Sequence, residues 1–497
     1  MRLSELFGRA GLEYPPELGG LDVTKIVTDS RQVTKGCLFL CIKGLHSDGH
    51  GYVNDAIKAG AAVIVAEQVR DACVGGAAAY IMLENTRRVA ALLYNAWYGD
   101  PVSKLKIIGV TGTNGKTSVC FLLTELFRAA GYRCGLVGTV CCQSADGRAL
   151  PPQNADSLAN MTTPDPEELY RLLAVMAQDG TEYVFMEVTS HALALCKADA
   201  ILFDTAVFTN LTQDHLDFHQ TMEEYFSAKR RLFDRCRRAV INTDDEAGRR
   251  LWAQVRCPAV TCSVTEGDYC ALDRESRGID GSVYRLKAPK GEMPIVLGIP
   301  GGFSVMNSLE ATAVALEYGI SPATVQRVLQ STGGVTGRME RLPTDGTPLS
   351  VLIDYAHTPD ALEKLLRSVW EFRRPTERIV LLFGCGGDRD RSKRKEMAQI
   401  ASRFSDFVIV TSDNSRSESP EQIFSDIMKG LDKEKPYAVI RDRRGAIQFA
   451  VLHARPGDIL ILAGKGHETY EIDAQGRHPF DERRIVREAL ARRGAEQ

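Results

Sequence analysis

VTGTNGKTS, residues 110–118, follows the apolar run 105–109 and precedes a helix-like run at 119–130. A strand, a Gly-rich turn and a helix in that order make a phosphate cradle. Backbone N–H groups of the turn and the positive end of the helix dipole face an anion, Lys116 reaches terminal phosphates, and the Thr117 hydroxyl can hold Mg2+. The strict P-loop pattern has Gly where this chain has Val110, so the turn is a variant that draws its flexibility from Gly109, Gly112 and Gly115. Gly112, Thr113, Asn114, Gly115, Lys116, Thr117 and Ser118 are thus the candidates for holding the phosphates of a nucleotide.

The chain around this turn has 497 residues, 44% hydrophobic and 25% charged, as in an ordinary soluble globular protein. On length alone it should form about three domains. A formal net charge of -3 argues against a nucleic-acid binder driven by whole-chain electrostatics. Thirteen cysteines are scattered without a C-x-x-C pair. That favours free thiols in a reducing cytoplasm over a zinc site or a disulfide framework. The first twenty residues carry charges where a signal peptide needs an apolar core. No stretch approaches the roughly 20 apolar residues of a membrane helix.

Outward from the turn, residues 1–102 read as a small α/β domain. Strands are expected at 23–28, 37–42 and 62–66 and helices at 54–59 and 86–98, with Asp29-Ser30-Arg31 as a turn. Gly99-Asp100-Pro101 closes the last helix. Residues 103–335 read as a central P-loop domain built on a parallel sheet. In it, YVFMEV (183–188) carries Glu187 near a strand's carboxyl end, where ligands of such sheets collect, so Glu187 is placed to bind the metal. A strand at 206–211 runs into TQDHLDFH, which holds Asp214, His215, Asp217 and His219. An oxygen-rich Mg2+ environment suits these groups better than zinc. EEYFSAKRRLFDRCRR then reads as one helix, with six basic residues from Lys229 to Arg238 on a solvated face. Short alternating runs at 258–297, with a turn at Asp280-Gly281, suggest inserted antiparallel hairpins. A helix at 304–318 has Asn307 in its first turn. Gly333-Gly334 ends the domain.

Residues 336–497 read as a doubly wound, Rossmann-like C-terminal domain with strands at 351–354, 378–383, 407–411 and 459–462. The fold class is therefore α/β throughout. Polar loops follow the four strand ends: Asp354-Tyr355-Ala356-His357, GCGGDRDRSKR from Gly384, SDNSR from Ser412 and GKGHE from Gly464. Each alone is an ordinary surface turn; together they suggest a binding face.

The chain resembles the Mur ligases, the amide-forming ligases of peptidoglycan synthesis, over essentially its whole length. The resemblance rests on DSR at Asp29, TGTNGKT at Thr111, TTP at Thr162, SHALAL at Ser190, DHLDFH, YFSAKR at Tyr225, GR-x-E at Gly337, DYAHTPD at Asp354, GCGGDRD at Gly384 and GKGHE at Gly464. It implies phosphorylation of a substrate carboxylate by ATP, then attack of an amine on the acyl phosphate. Thr117 and Glu187 would serve one Mg2+ and His215 and Lys229 another, with Lys229 carrying a carbamate. Lys116, His215 and Lys229 would be the catalytic set. The nucleotide held by residues 112–118 would be ATP. Asn307, Arg338, Asp354 and His357 match further ATP contacts, and the C-terminal domain would close on the central one about a hinge. Ser30, Thr162, Thr163, Ser190 and Lys197 match contacts to UDP-N-acetylmuramoyl-L-alanyl-D-glutamate, with Lys197 where the family's usual residue is Arg. Arg389, Asp413, Asn414, Arg416, Gly464 and Glu468 match contacts to meso-diaminopimelate. Members specific for that amino acid carry Asp-Asn-Pro-Arg, and here Ser415 stands in place of Pro. Arg416 remains to pair with a distal carboxylate that lysine lacks. The resemblance implies a cytoplasmic monomer with no nucleic-acid or membrane partner. The alternatives are an L-lysine-adding ligase, a folylpolyglutamate-type or later-step ligase, and a nucleotide-gated switch.

Overall fold

The computed structural model describes residues 1–44, 47–68, 78–151, 161–344 and 346–496. The chain falls into two compact units, residues 1–268 with 310–321, and residues 269–309 with 322–497.

In the first unit, β1 (Ile26–Val27), β2 (Leu38–Leu40), β3 (Val63–Ala66) and β4 (Ala79–Met82) form a parallel sheet in that order. These strands are shorter than their apolar runs, and the turn at Asp29 is a 3-10 helix, Ser30–Gln32, capped by the Asp29 carboxylate. The helix Thr86–Trp97 buries Val89, Ala90, Leu93 and Tyr94 in a core that also takes Leu169, Tyr170 and Phe203.

The central sheet of this unit is built on β5 (Lys106–Thr111), with β6 (Cys134–Val137), β7 (Cys142–Gln143), β8 (Tyr183–Glu187), β9 (Thr205–Phe208), β10 (Ala239–Asn242) and β11 (Ala259–Ser263). Their order is β11-β10-β9-β5-β8-β6-β7. Only the β6–β7 pair is antiparallel. Strand β5 is buried from its second residue onward, as a strand covered on both faces must be. Register sets Val110 opposite Glu187 on one side and Val207 on the other, so the phosphate turn leaves the sheet beside that carboxylate.

The basic stretch after Glu223 is not one helix. The helix Met222–Arg230 ends there, and a 3-10 turn, Phe233–Arg235, follows. Arg231 and Arg235 turn to the buried Asp199, at 3.7 and 3.6 Å, and Lys229 is buried, so the solvated basic face is broken up. Thr221 caps the helix start by accepting from Glu224 N, and acidic residues in its first turn and basic ones in its last suit the helix dipole.

In the second unit, β12 (Tyr269–Ser276), β13 (Ser282–Ala288) and β14 (Gly291–Leu297) are the expected antiparallel insertion, with a 3-10 helix, Gly278–Asp280, at the Asp280-Gly281 turn. The helix Gly302–Glu317 starts earlier than its apolar period suggests, which moves Asn307 past the first turn. Strands β15 (Glu340–Leu342), β16 (Leu349–Asp354), β17 (Arg378–Phe383), β18 (Phe407–Val410), β19 (Tyr437–Val439) and β20 (Asp458–Ala463) form a sheet of order β15-β16-β20-β17-β18-β19, parallel except for β15. The four polar loops leave the carboxyl ends of β16, β17, β18 and β20, hence one edge of one sheet. A hairpin, β21 (Tyr470–Asp473) and β22 (Gly476–Pro479), follows the last of them. Among the described residues no helix is long and apolar enough to cross a membrane.

Glu310 lies wholly buried on the helix Gly302–Glu317, and neither carboxyl oxygen has a hydrogen-bond partner. Burial, and then the charge of Asp245, push its pKa well above the usual 4.5. The folded chain therefore holds a proton that the unfolded chain releases. This group's contribution to stability is complete below the unfolded value and is lost as pH rises towards and through the raised one. Glu310→Gln, which stays neutral, should stabilise the protein more at pH 8 than at pH 5 in chemical denaturation; an effect of equal size at both would contradict a protonated Glu310.

Candidate active site

The phosphate turn has the backbone its sequence requires. Gly112 and Gly115 have φ of 157° and 87°, and Gly115 caps the helix Lys116–Ala129. Side chains from the end of β9 hold the turn from behind: Asn210 Oδ1 accepts from Asn114 N at 2.9 Å, and Thr209 Oγ1 donates to Asn114 O at 2.6 Å. Lys116 Nζ donates to the turn's own carbonyls, Gly112 O and Thr113 O, both at 2.9 Å. That pose keeps the ammonium inside the loop, where it can swing to a phosphate oxygen.

Glu187 is 1% exposed and gathers three donors from two segments. Thr117 Oγ1 donates at 2.9 Å, Thr139 N at 2.8 Å and Thr139 Oγ1 at 3.1 Å. The Thr139 hydroxyl also lies 3.0 Å from Thr162 Oγ1, so its one proton is shared between that oxygen and the Glu187 carboxylate. Hydroxyl and carboxylate oxygens brought together in this way are the ligand type a hard cation takes, so Thr117 and Glu187 fit Mg2+. Thr163 Oγ1 donates to Glu187 O at 2.9 Å and steadies the same strand end.

The histidine block divides. His215 sits in left-handed backbone, φ 53°, with its side chain 45% exposed and its ring 4.8 Å from that of His191. His219 turns inward, its Nε2 2.9 Å from Ser190 Oγ and its ring stacked on Tyr225. It is therefore not one of a converging set of metal ligands. The Asp217 side chain lies outside the described residues. Lys229 is also 1% exposed. Burial, reinforced by the charge of Lys116 and opposed by Asp214, holds its amine well below the ordinary lysine range. An ammonium there fits no cation site; a neutral amine that has taken up CO2 does. Lys197 is paired with Asp165 at 2.8 Å, and Ser30 lies on the 3-10 helix after β1.

In the second unit, Asp354 accepts from Met339 N at 2.7 Å and Ala356 N at 2.8 Å. Burial raises its pKa, and Arg338 opposes the rise. The Arg338 guanidinium lies 5.2 Å from the Tyr355 ring, which also meets His357 and His467. Burial, Arg338 and Arg483 push the His467 pKa down to about 4, so its imidazole is neutral. The loops after β17, β18 and β20 are knitted together. Arg416 Nη1 donates to Gly387 O at 2.8 Å, Asn414 Nδ2 to Glu468 Oε2 at 2.9 Å, and Lys465 Nζ to Asn414 Oδ1 at 2.9 Å. Asp413 closes against Gly464, where a Cβ would stand 2.6 Å from its Oδ2. Arg389 is exposed on the loop after β17.

Residues 22–98 match the family described as Mur ligase family, catalytic domain, residues 110–315 the Mur ligase middle domain, and residues 337–466 the Mur ligase, glutamate ligase domain. The UDP-N-acetylmuramoyl-L-alanyl-D-glutamate–2,6-diaminopimelate ligase of Clostridioides difficile (strain 630) is 41% identical, over 95% of this chain and 96% of that one. The chain belongs to the Mur ligase family. The ligase of the same name from Geobacillus thermodenitrificans (strain NG80-2) is 39% identical over 99% of this chain and all of its own. A solved structure of a UDP-N-acetylmuramoyl-L-alanyl-D-glutamate–2,6-diaminopimelate ligase is 31% identical and superposes with a TM-score of 0.72, over 99% of this chain and 100% of that one. The MurF ligase of Thermotoga maritima in complex with ADP, at 17% identity and a TM-score of 0.56 over 95% of this chain and 98% of its own, shares the fold. The mixed α/β, three-domain fold expected from the resemblance is thus that of the Mur ligases.

Thr139, Asn210 and the hairpin β21–β22 went unread in the sequence, and Lys465 was read only as part of the GKGHE loop. Thr139 follows a strand of only four residues and carries no motif; it is recognised by what it touches. A Cβ at Gly138 would run into the Glu187 carboxylate. Gly138→Ala should displace Glu187 and cut ATP turnover about a hundredfold, as measured by phosphate release. Turnover within twofold of the parent would show that Glu187 is not held where the chemistry needs it.

Proposed function

We propose that the protein is an ATP-dependent ligase joining meso-diaminopimelate to UDP-N-acetylmuramoyl-L-alanyl-D-glutamate in peptidoglycan synthesis. The observation that carries this reading is Arg416, in left-handed backbone with φ 53° and anchored to Gly387 O, at the centre of loops closed by Asn414, Lys465 and Glu468. A guanidinium so fixed reads a distal carboxylate, which meso-diaminopimelate has and lysine lacks. The names of the full-length relatives point the same way.

In this reading the substrate carboxylate attacks the γ-phosphorus of ATP, releases ADP and becomes an acyl phosphate. The amine then adds to the acyl carbon, loses a proton and expels phosphate. The chain's part is positioning and charge neutralisation. Lys116 and the N–H groups of residues 112–118 hold the phosphates, while Arg338, Asp354, His357 and Asn307 serve the nucleotide. Thr117 and Glu187 hold one Mg2+; His215 and Lys229, the latter as its carbamate, hold the second. Bound Mg2+ supplies neutralisation of phosphate charge. The low amine pKa supports the carbamate, because only a neutral amine adds CO2. Ser30, Thr162, Thr163, Ser190 and Lys197 serve the UDP-linked substrate, and Arg389, Asp413, Gly464 and Glu468 the amino acid with Arg416. We place the domain boundaries at 102 and 335 and read the enzyme as a cytoplasmic monomer.

Two measurements test this. Amide formation with meso-diaminopimelate should exceed that with L-lysine by at least about a hundredfold, the value of roughly 3 kcal/mol for a charge-assisted pair, and Arg416→Ala should remove most of the difference. Equal use of both amino acids would overturn the choice of substrate. Lys229→Ala should lose activity and recover part of it with a short carboxylate added; full activity without rescue would dismiss the carbamate.

A further inference from the structure

Tyr225, the first residue of the YFSAKR motif, packs against Lys229, His215, His219 and the phosphate turn. It is 1% exposed. Its ring lies beneath Lys229 Nζ, 4.5 Å from nitrogen to ring centroid, because residues four apart on a helix share a face. His219 also stacks on this ring, at 5.0 Å, and His215 stands edge-on at 6.0 Å. Its hydroxyl lies 3.2 Å from Thr113 Oγ1, in the phosphate turn. The direction of that bond follows from the donor count. Thr113 Oγ1 donates its single proton to Thr212 O at 3.2 Å and accepts from Thr212 N at 3.0 Å, so the Tyr225 hydroxyl is the donor.

A lysine side chain has four rotatable methylenes and loses rotamer entropy when it is fixed. In the proposed site Lys229 serves together with His215, and both meet the Tyr225 ring. We propose that Tyr225 is the positioning residue of this site: its ring seats the Lys229 amine, and its hydroxyl ties that seat to the phosphate turn through Thr113. The inference rests on the reading of Lys229 as a carbamate. It extends that reading by naming what holds the amine where CO2 adds to it, with the nitrogen–carbon bond formed and a proton released.

Two substitutions separate ring from hydroxyl, each read by the 13C carbamate signal of protein equilibrated with 13CO2 and by steady-state kinetics of amide formation. Tyr225→Phe keeps the ring. It should retain the carbamate signal and a kcat within about twofold, while KM for ATP rises roughly fivefold, the value of one neutral hydrogen bond. Tyr225→Leu removes the ring. It should lose the carbamate signal and about a hundredfold in kcat, with its KM for ATP raised no further than in Tyr225→Phe. If Tyr225→Leu melts before assay, Tyr225→His carries the same test, with a carbamate signal between the other two expected. A ring-deleted variant with the parent's signal and kcat, or a Phe variant with unchanged KM for ATP, overturns the role of Tyr225. A parent protein without the signal overturns the Lys229 reading instead, so the two failures are distinguishable.

Discussion

A buried carboxylate must be met by donors, and the first unit is arranged to meet the one on Glu187. An ionised group taken out of water without partners costs several kcal/mol. Three donors, from Thr117 and twice from Thr139, answer that cost, and each comes from a different segment than the strand that carries the acid. Their convergence fixes the start of the helix after the phosphate turn, the end of β6 and, through Thr162, the segment leading to the helix Pro166–Gln178. The register of β5 against β8 makes it possible, because Val110 pairs with Glu187 and the turn begins two residues later. Sheet register, buried carboxylate and phosphate turn are therefore one constraint. A slip of one residue would turn Glu187 to the other face of the sheet.

The second unit solves the same problem with cations. Arg443 is wholly buried, paired with the equally buried Glu482, and donates to Ser412 O and Ala463 O, the residues at which the loops after β18 and β20 begin. Arg394 is buried against Glu418 and Asp426 and reaches Gly386 O on the loop after β17. Loops of this polarity are ordinarily mobile surface. Here two guanidiniums with their carboxylates hold three of them, so that Arg416, Asn414 and Glu468 are presented by a braced edge.

The division between what the sequence shows and what it hides follows from the range of the forces. Runs such as 378–383 lie in strands buried on both faces, and local hydrophobicity locates them to the residue. The phosphate turn is equally legible, because glycine, lysine and hydroxyl must fall at fixed local spacing. Thr139 acts through a partner 48 residues away, and no local pattern marks it; Lys465 sits in the GKGHE loop, but its partner Asn414 lies 51 residues away. The strands β15 and β19, three residues each at the sheet's edges, are too short to show a period. The misread helix has the same cause. The basic run after Lys229 looks like one continuous face until Asp199, some thirty residues earlier in the chain, draws Arg231 and Arg235 aside.

The Ser415 position, which departs from the family's Asp-Asn-Pro-Arg, is resolved by the same reasoning. A proline there would hold the loop by fixing one φ angle. In this chain the hold comes from elsewhere. The Ser415 carbonyl packs onto the backbone at Gly387, where any Cβ would collide with it, and accepts from Glu418 N at 3.1 Å. Ser417 donates to Asp388 through both its backbone N and its hydroxyl. Arg416 N donates to Ile472 O of β21, so the hairpin locks the residue that bears the reader. With the backbone of Arg416 already in its left-handed conformation and its guanidinium on Gly387 O, a proline ring would add stiffness to a loop that hydrogen bonds have made stiff. The loop is therefore held without the ring, and the guanidinium of Arg416 keeps its direction through Gly387 O.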